Sequence, residues 1–178
     1  MNSSARSLLV GTVGLALVGL SACSPGSGDS SDAEGAPPPE AQGAGLKDFD
    51  VCNFFTPEDL AAAGVSGPGE PEDTVDFEPG CNFRGEEKDL TLFKNPEDSF
   101  DKYMSKGNFG EVNPFEVNGR KAAVGVTAGS EGQGICSSFL DAGGGTVIVT
   151  VTGAQSDSVD ACGESKKVAE QIEPRLPK

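Results

Sequence analysis

The five cysteines are the residues of this chain whose type and spacing can do chemistry, and one of them stands in a context of its own. Cys23 directly follows the small residues Ser21 and Ala22, whereas the other four are spread along the rest of the sequence: Cys52, Cys81, Cys136 and Cys162. A thiol that follows small residues at the end of an apolar segment can be acylated and can become the first residue of a mature chain. The four later cysteines are candidates for disulfide bonds.

The segment before Cys23 has the three regions of a bacterial lipoprotein signal. Arg6 supplies the positive region, and Leu8–Leu20 is an apolar run of 13 residues that contains three glycines. This run is too short for a spanning helix, which needs about 20 apolar residues. Leu-Ser-Ala-Cys resembles the lipobox of signal-peptidase-II substrates, whose cysteine receives a diacylglyceryl group. We therefore expect a lipoprotein signal peptide over residues 1–22 and a mature chain anchored by lipid on Cys23 at the extracytoplasmic face of the cell membrane.

The composition predicts a tether followed by one folded domain. Residues 23–46 consist largely of Gly, Ser, Pro and acidic residues, which is typical of a disordered tether. The domain then covers residues 47–178, with its first ordered residue near Leu46 or Asp48. The net charge of −15 argues against nucleic acid and anionic lipid headgroups as partners, because both are bound by lysine and arginine. Solubility is the simplest interpretation of this acidity.

An even number of cysteines in an exported domain predicts two disulfides. Of the three connectivities that four cysteines allow, we expect the pairing of sequence neighbours, Cys52–Cys81 and Cys136–Cys162. A metal site is a poor alternative, because the chain has no histidine and no Cys-x-x-Cys pair. We expect no cofactor and no metal.

Local signals predict the elements that hold these cysteines. Thr56-Pro57 begins a helix that ends at Gly64, residues 66–80 form a surface loop, and two short strands follow at 80–84 and 89–93. A second helix is predicted to start at Asn95–Asp98 and to end at Gly107.

Two hairpins and a closing helix complete the predicted domain. The hairpins turn at Asn118-Gly119 and at Gly143–Gly145, and the helix runs from Ser158 to Leu176. Hairpins without crossovers indicate an antiparallel sheet. We therefore expect an α+β fold of two layers, with the helices packed on one face of the sheet and the strand Val147–Val151 at its centre.

The contexts of the cysteines resemble an actinobacterial family of exported lipoproteins that share the domain of unknown function 3558. The segments that carry the resemblance are 50–64, 80–83, the strand around Cys136, and 160–177. The chain departs from the family pattern at Val51 and Ala161, where proline is expected, and at Phe83, where tryptophan is expected. The resemblance implies an envelope location and a fold, but it brings no catalytic or binding residues.

The sequence contains no complete catalytic set. Without histidine there is no Ser-His or Cys-His pair. Ser99-Phe-Asp-Lys102 matches the Ser-x-x-Lys signature of penicillin-binding proteins, but the companion motifs of that class are missing, and an exposed pair on a helix explains it. The acidic loop Glu70–Glu78 lacks the order of a calcium loop, and Gly143–Gly145 is more simply a turn than an anion site.

Five phenylalanines are expected in the core, with an apolar ligand cavity as the open alternative: Phe54, Phe55, Phe83, Phe93 and Phe100. The leading hypothesis is a non-enzymatic, lipid-anchored envelope protein that binds a partner protein or a small apolar ligand. Two alternatives stay open. One is an accessory of a membrane sensor or transporter. The other is a cell-wall hydrolase or transferase that uses two facing carboxylates drawn from Glu58, Asp59, Asp89 and Asp141.

Overall fold

The computed structural model describes residues 45–73 and 75–178. The predicted signal peptide, Cys23 and nearly all of the predicted tether lie outside the described residues. The described part contains three helices and seven strands: α1 (Pro57–Ala62), β1 (Ser66–Glu72), β2 (Gly80–Arg84), β3 (Lys88–Asn95), α2 (Phe100–Ser105), β4 (Phe109–Val117), β5 (Arg120–Thr127), β6 (Ile135–Ala142), β7 (Gly145–Gly153) and α3 (Ala161–Ile172).

The seven strands form one antiparallel sheet in the order β1-β2-β3-β7-β6-β5-β4. The α+β class and the antiparallel sheet predicted from the sequence are confirmed. β7 is the fourth of the seven strands, and its residues Val147, Val149 and Val151 are buried. The prediction that this strand lies at the centre of the sheet is therefore confirmed.

Both predicted hairpins are present. The turn between β4 and β5 places Asn118 and Gly119 at φ values of 51° and 83°. The turn between β6 and β7 places Gly143 and Gly144 at 56° and 80°. Two successive positive φ angles match the twist of antiparallel strands, which explains why Asn-Gly and Gly-Gly occupy these positions.

One side of the sheet, here called the first face, carries the main core. The alternate residues of the strands that point to it include Leu90, Leu92, Val149 and Leu140, each of them 1% exposed or less. α3 packs on the part of this core that β5, β6 and β7 form, and its inner residues are Val168, Ala169 and Ile172. Leu46 is 1% exposed and belongs to the same core, so the folded part includes this residue.

Two disulfides join the elements on the first face to the sheet, and the predicted pairing is confirmed. Cys52, in the segment before α1, is bonded to Cys81 of β2, with 5.1 Å between their Cα atoms. Cys136 of β6 is bonded to Cys162 of α3, with 4.9 Å between their Cα atoms. The two bonds fix the N-terminal segment and α3 to opposite halves of the sheet.

The opposite side of the sheet, here called the second face, is covered in part by α2. Phe139 and Ile148 are each 2% exposed and point to this side, and Phe100, Tyr103 and Met104 of α2 pack against them. The sequence predicted helices on one face, whereas α2 lies on the face opposite α3. Near α2, the strands β3, β6 and β7 carry large apolar side chains on both sides of the sheet. The second face therefore also needs a helix to cover it.

The predicted loop over residues 66–80 contains the edge strand β1. Its partner is β2, and the register shifts between Ser66 and Glu70, where Gly67 has a φ of 86°. Proline is tolerated on an edge strand, so Pro68 and Pro71 do not prevent the pairing.

The boundaries of α2 and α3 differ from the sequence-based prediction, and α3 ends at Ile172 rather than at Leu176. The backbone amides of Glu97 and Asp98 donate to the side chain of Asn95, so the Asn-Pro signal forms a turn and α2 begins later, at Phe100. α3 begins at Ala161, where the side chain of Asp160 accepts a hydrogen bond from the Gly163 amide.

Candidate functional site

A row of polar side chains crosses the part of the second face that lies beside α2. Asn82, Thr91, Thr150 and Ser137 occupy one register across β2, β3, β7 and β6. The amide of Asn82 donates to Thr91 at 2.9 Å, and the hydroxyls of Ser137 and Thr150 lie 2.8 Å apart. Apart from Ser138, the neighbouring residues of the same strands point to the first face and are apolar, so this alternation gives the sheet one mainly apolar and one polar side here.

This polar row borders a depression of about 440 Å³ on the second face. We call it the polar depression. Four strands form it, because its lining residues come from β1, β2, β3 and β7: Glu70, Pro71, Glu72, Asn82, Arg84, Asp89, Thr91 and Thr152.

The polar depression has an excess of negative charge. It holds three carboxylates, those of Glu70, Glu72 and Asp89, and one guanidinium group, that of Arg84. Arg84 donates two hydrogen bonds to Glu70, at 3.0 and 2.9 Å, and both side chains are more than half exposed. Asp89 accepts a hydrogen bond from the backbone of Gly85 at 3.2 Å. Carboxylates with threonine and asparagine groups beside them can bind ammonium or guanidinium groups.

Two carboxylates on the side of α3 are neutralised within the fold. Glu164 of α3 binds Lys88 of β3 at 2.5 Å and Lys167 at 2.6 Å, and these hydrogen bonds lower the pKa of its carboxyl. Glu173 binds Arg120 at 2.9 Å, and hydrogen bonds from Asn118 and Arg120 lower the pKa of that carboxyl. These carboxylates stabilise the fold and are not available to a ligand.

A second depression, of about 480 Å³, lies at the turn between β6 and β7, and it has a structural explanation. Its charged centre is the pair Arg120–Glu173, whose side chains are 9% and 4% exposed. Arg120 also donates to the backbone carbonyls of Asp141, Pro177 and Leu176. Its guanidinium group therefore holds the end of the chain against the sheet.

The four carboxylates proposed for a cell-wall enzyme do not face one another in the described part of the chain. Asp89 pairs with Thr152 and Asp141 pairs with Thr146, so the two acids lie at opposite ends of β7. The other two, Glu58 and Asp59, are on α1, where Asp59 accepts hydrogen bonds from Arg175 and from the backbone of Thr56. The structure brings none of the four together in one of these depressions.

The Ser99 and Lys102 pair is not arranged as a nucleophile with its base. Ser99 is the N-cap residue of α2, and the ammonium group of Lys102 binds Asp98 at 2.7 Å. The hydrogen bond to Asp98 raises the pKa of Lys102. A lysine that acts as a base needs a lowered pKa, so this environment opposes that chemistry.

The phenylalanines expected in the core are divided between the two faces. Phe54, Phe55 and Phe83 form a chain of contacts on the first face, with ring centroids 5.6 and 5.2 Å apart. Phe93 of β3 and Phe100 of α2 pack on the second face. Phe83 is fully buried, whereas the other four are partly exposed.

The described residues contain neither a cluster suited to a metal ion nor a helix suited to span a membrane. Among residues 45–73 and 75–178, no group of three or more Cys, Asp and Glu side chains has the arrangement of a metal site, and this includes the acidic segment Glu70–Glu78 as far as it is described. None of the helices in the same ranges is long and apolar enough to cross a membrane.

Sequence reasoning did not identify the polar depression. The alternation of Asn82 and Arg84 with Cys81 and Phe83 was a usable signal, because it places two polar groups on one side of a strand. No such signal marks β1, because its glycine and proline residues predict a loop.

A family model described as a protein of unknown function, DUF3558, matches residues 18–175. No curated protein and no solved structure matches the chain.

Proposed function

This chain belongs to the DUF3558 family, and we propose that it is a non-enzymatic, lipid-anchored module that binds a partner at the extracytoplasmic face of the cell membrane. The anchor is supported by the position of Cys23, which follows Leu-Ser-Ala and a 13-residue apolar run. The location is supported by two disulfides, which are typical of exported proteins.

The observation that carries the binding function is the polar depression. Ion pairs within the fold neutralise Glu164 and Glu173, whereas the polar depression holds three carboxylates and one arginine. A surface of this kind favours a partner that presents lysine or arginine side chains. An envelope protein with a basic segment meets this requirement, and a membrane sensor or transporter is one class of such proteins. A small apolar ligand fits this lining poorly.

The positions of the four candidate carboxylates support an enzymatic function less well. A hydrolase with two carboxylates needs them about 5–10 Å apart across the scissile bond. Asp89 and Asp141 lie at opposite ends of β7, and Asp59 is already bound to Arg175. Binding at the polar depression requires no such pair.

The anchor is tested on Cys23. The full chain is produced in a bacterium that processes lipoproteins, and membrane fractions and the mass of the N-terminal peptide are analysed. We expect the wild type in the membrane fraction with a diacylglyceryl group on Cys23, and we expect the Cys23→Ala variant to be unprocessed and without lipid. An unmodified thiol on Cys23 in the wild type would contradict the anchor.

The binding face is tested with two variants that each remove two negative charges. Glu72→Gln with Asp89→Asn changes the polar depression, and Glu58→Gln with Glu170→Gln changes exposed positions on α1 and α3. After chemical cross-linking in intact cells, we expect the first variant to lose the adduct that the wild type and the second variant form. Equal adducts in both variants would exclude the polar depression as the binding face.

A further inference from the structure

Glu78 connects the polypeptide that enters β2 with helix α2. It lies in the segment Val75–Pro79, and the hydroxyl of Tyr103 on α2 donates a hydrogen bond to it at 3.1 Å. Within the segment, the amide of Glu78 donates to the carbonyl of Val75 at 3.0 Å. The amide of Lys94 in β3 donates to the carbonyl of Pro79 at 3.1 Å, so the segment is joined to both β3 and α2.

A second polar group lies near the same carboxyl. Asn95, at the end of β3, is 1% exposed, and its side-chain oxygen accepts from the amides of Glu97 and Asp98. Its Nδ2 atom makes no hydrogen bond in the described part of the chain. Asn95 lowers the pKa of the Glu78 carboxyl, so this buried and unpaired amide lies close enough to become a donor to that group.

Burial is the largest influence on the pKa of Glu78. It raises the pKa of the Glu78 carboxyl, and the hydrogen bond from Tyr103 and the nearby amide of Asn95 oppose this only in part. The charged group nearby on the α2 side is Asp98, which Lys102 and Lys106 neutralise. The folded segment therefore holds the proton of Glu78 more tightly than an exposed glutamate does.

We propose that Glu78, Tyr103 and Asn95 form a proton-dependent contact that fixes the segment Val75–Pro79 against α2 and so regulates the polar depression. The link to the depression is the strand pairing, because Glu72 of β1 lies opposite Gly80, the residue that follows the segment. The regulatory part of this inference rests on the proposed function. The contact itself can be measured without any partner.

The direction of the effect follows from the raised pKa. The ordinary pKa of a glutamate is 4.5, and the docked segment holds the proton more tightly than the free segment does. The stabilisation is complete below pH 4.5 and is lost as the pH rises through the pKa of the docked form. Mild acid therefore fixes the segment, and a higher pH loosens it.

The chain offers a spectroscopic probe at this point. Tyr103 is its one tyrosine and it has no tryptophan, so tyrosine emission reports on Tyr103 alone. An ionised carboxylate that accepts the phenolic hydrogen bond quenches this emission. In the full chain we expect the emission to rise as the pH falls from 8 to 5, with a midpoint above 4.5. In Glu78→Gln we expect that step to be lost, and in the matched control Glu58→Gln, which changes an exposed residue of α1, we expect it to be kept.

Hydrogen exchange gives a second measurement that does not depend on fluorescence. At pH 7 we expect the amides of residues 75–80 to exchange more slowly in Glu78→Gln than in the wild type, and more rapidly in Tyr103→Phe. A midpoint at or below 4.5, a step that persists in Glu78→Gln, or equal exchange in all three proteins would overturn the proposal. None of these results would alter the cross-linking test of the polar depression, so the two proposals can fail separately.

Discussion

The two faces of the sheet are built from the same strands but differ in what their side chains do. On the first face, Leu92 and Val149 are completely buried, and a disulfide joins Cys136 of the sheet to Cys162 of α3. On the second face, α2 has six residues and covers a few side chains around Phe139. Beside α2 the second face is polar, and it contains the polar depression.

This difference indicates a division of roles. On the side of α3, two ion pairs join distant parts of the fold, Lys88 with Glu164 and Arg120 with Glu173. In the polar depression, the pair Arg84–Glu70 is exposed and contributes little to stability. We therefore expect substitutions on the first face to lower the free energy of unfolding, and substitutions in the polar depression to change binding with little effect on stability.

The largest effect is expected at Arg120. Arg120→Met leaves the carboxylate of Glu173, which is 4% exposed, without its cation. Breaking a buried ion pair on one side costs about 3–5 kcal/mol, and replacing both partners with apolar residues costs much less. Urea denaturation should show this loss for Arg120→Met and a partial recovery for Arg120→Met with Glu173→Leu. A loss below about 1 kcal/mol in the single variant would show that the pair does not hold the fold.

The next effect concerns the disulfide between β6 and α3. Replacing Cys136 and Cys162 with alanine opens a closure of 26 residues, which should lower the free energy of unfolding by about 3–4 kcal/mol. Replacing Cys52 and Cys81, which are 29 residues apart, should cost a similar amount. Denaturation of each variant, measured with the other disulfide intact, checks both values. Unchanged stability in either variant would contradict the role given to that bond.

The dependence of stability on pH should distinguish the two faces by its sign. The pKa values of Glu164 and Glu173 are lowered, so their contribution is present above pH 4.5 and is lost as the pH falls through the lowered values. The pKa of Glu78 on the second face is raised, so its contribution has the opposite sign between pH 7 and 4.5. As the pH falls from 7, denaturation should show stability that rises slightly down to pH 4.5 and falls below it. Glu78→Gln should remove the rise alone.

The smallest effect is expected for the polar depression. Arg84→Ala breaks an ion pair between side chains that are 70% and 61% exposed, and such exposed pairs contribute little to stability. Glu72→Gln and Asp89→Asn should each change stability by less than about 0.5 kcal/mol. Thermal unfolding of the three variants measures this. A loss of several kcal/mol would mean that the polar depression is part of the structural framework.

Local signals in the sequence predicted much of the fold. Thr56 and Asp59 form the capping box that starts α1, and Asn118-Gly119 forms the hairpin turn that this dipeptide predicts. Such signals act over a few residues, so they can be read without knowledge of the fold. The disulfide pairing followed from the order of the cysteines and the expectation of export.

Features that depend on distant residues could not be predicted in this way. β1 is a strand because β2 pairs with it, although its own residues favour a loop. The ion pair between Arg120 and Glu173 joins residues 53 positions apart, and no local pattern marks it. The polar depression combines four strands, so its residues are recognised as a group only after the order of the strands is known.

The most direct test of the account is a photo-cross-linking experiment on the anchored full chain in intact cells. A photoreactive amino acid is placed at Thr152 in the polar depression and, in a second protein, at the exposed Glu170 on α3. We predict a protein adduct at position 152, attached through a segment rich in lysine and arginine and lost in Glu72→Gln with Asp89→Asn. Adducts of equal yield at both positions, an adduct at position 170 alone, or no protein adduct at position 152 would contradict the account.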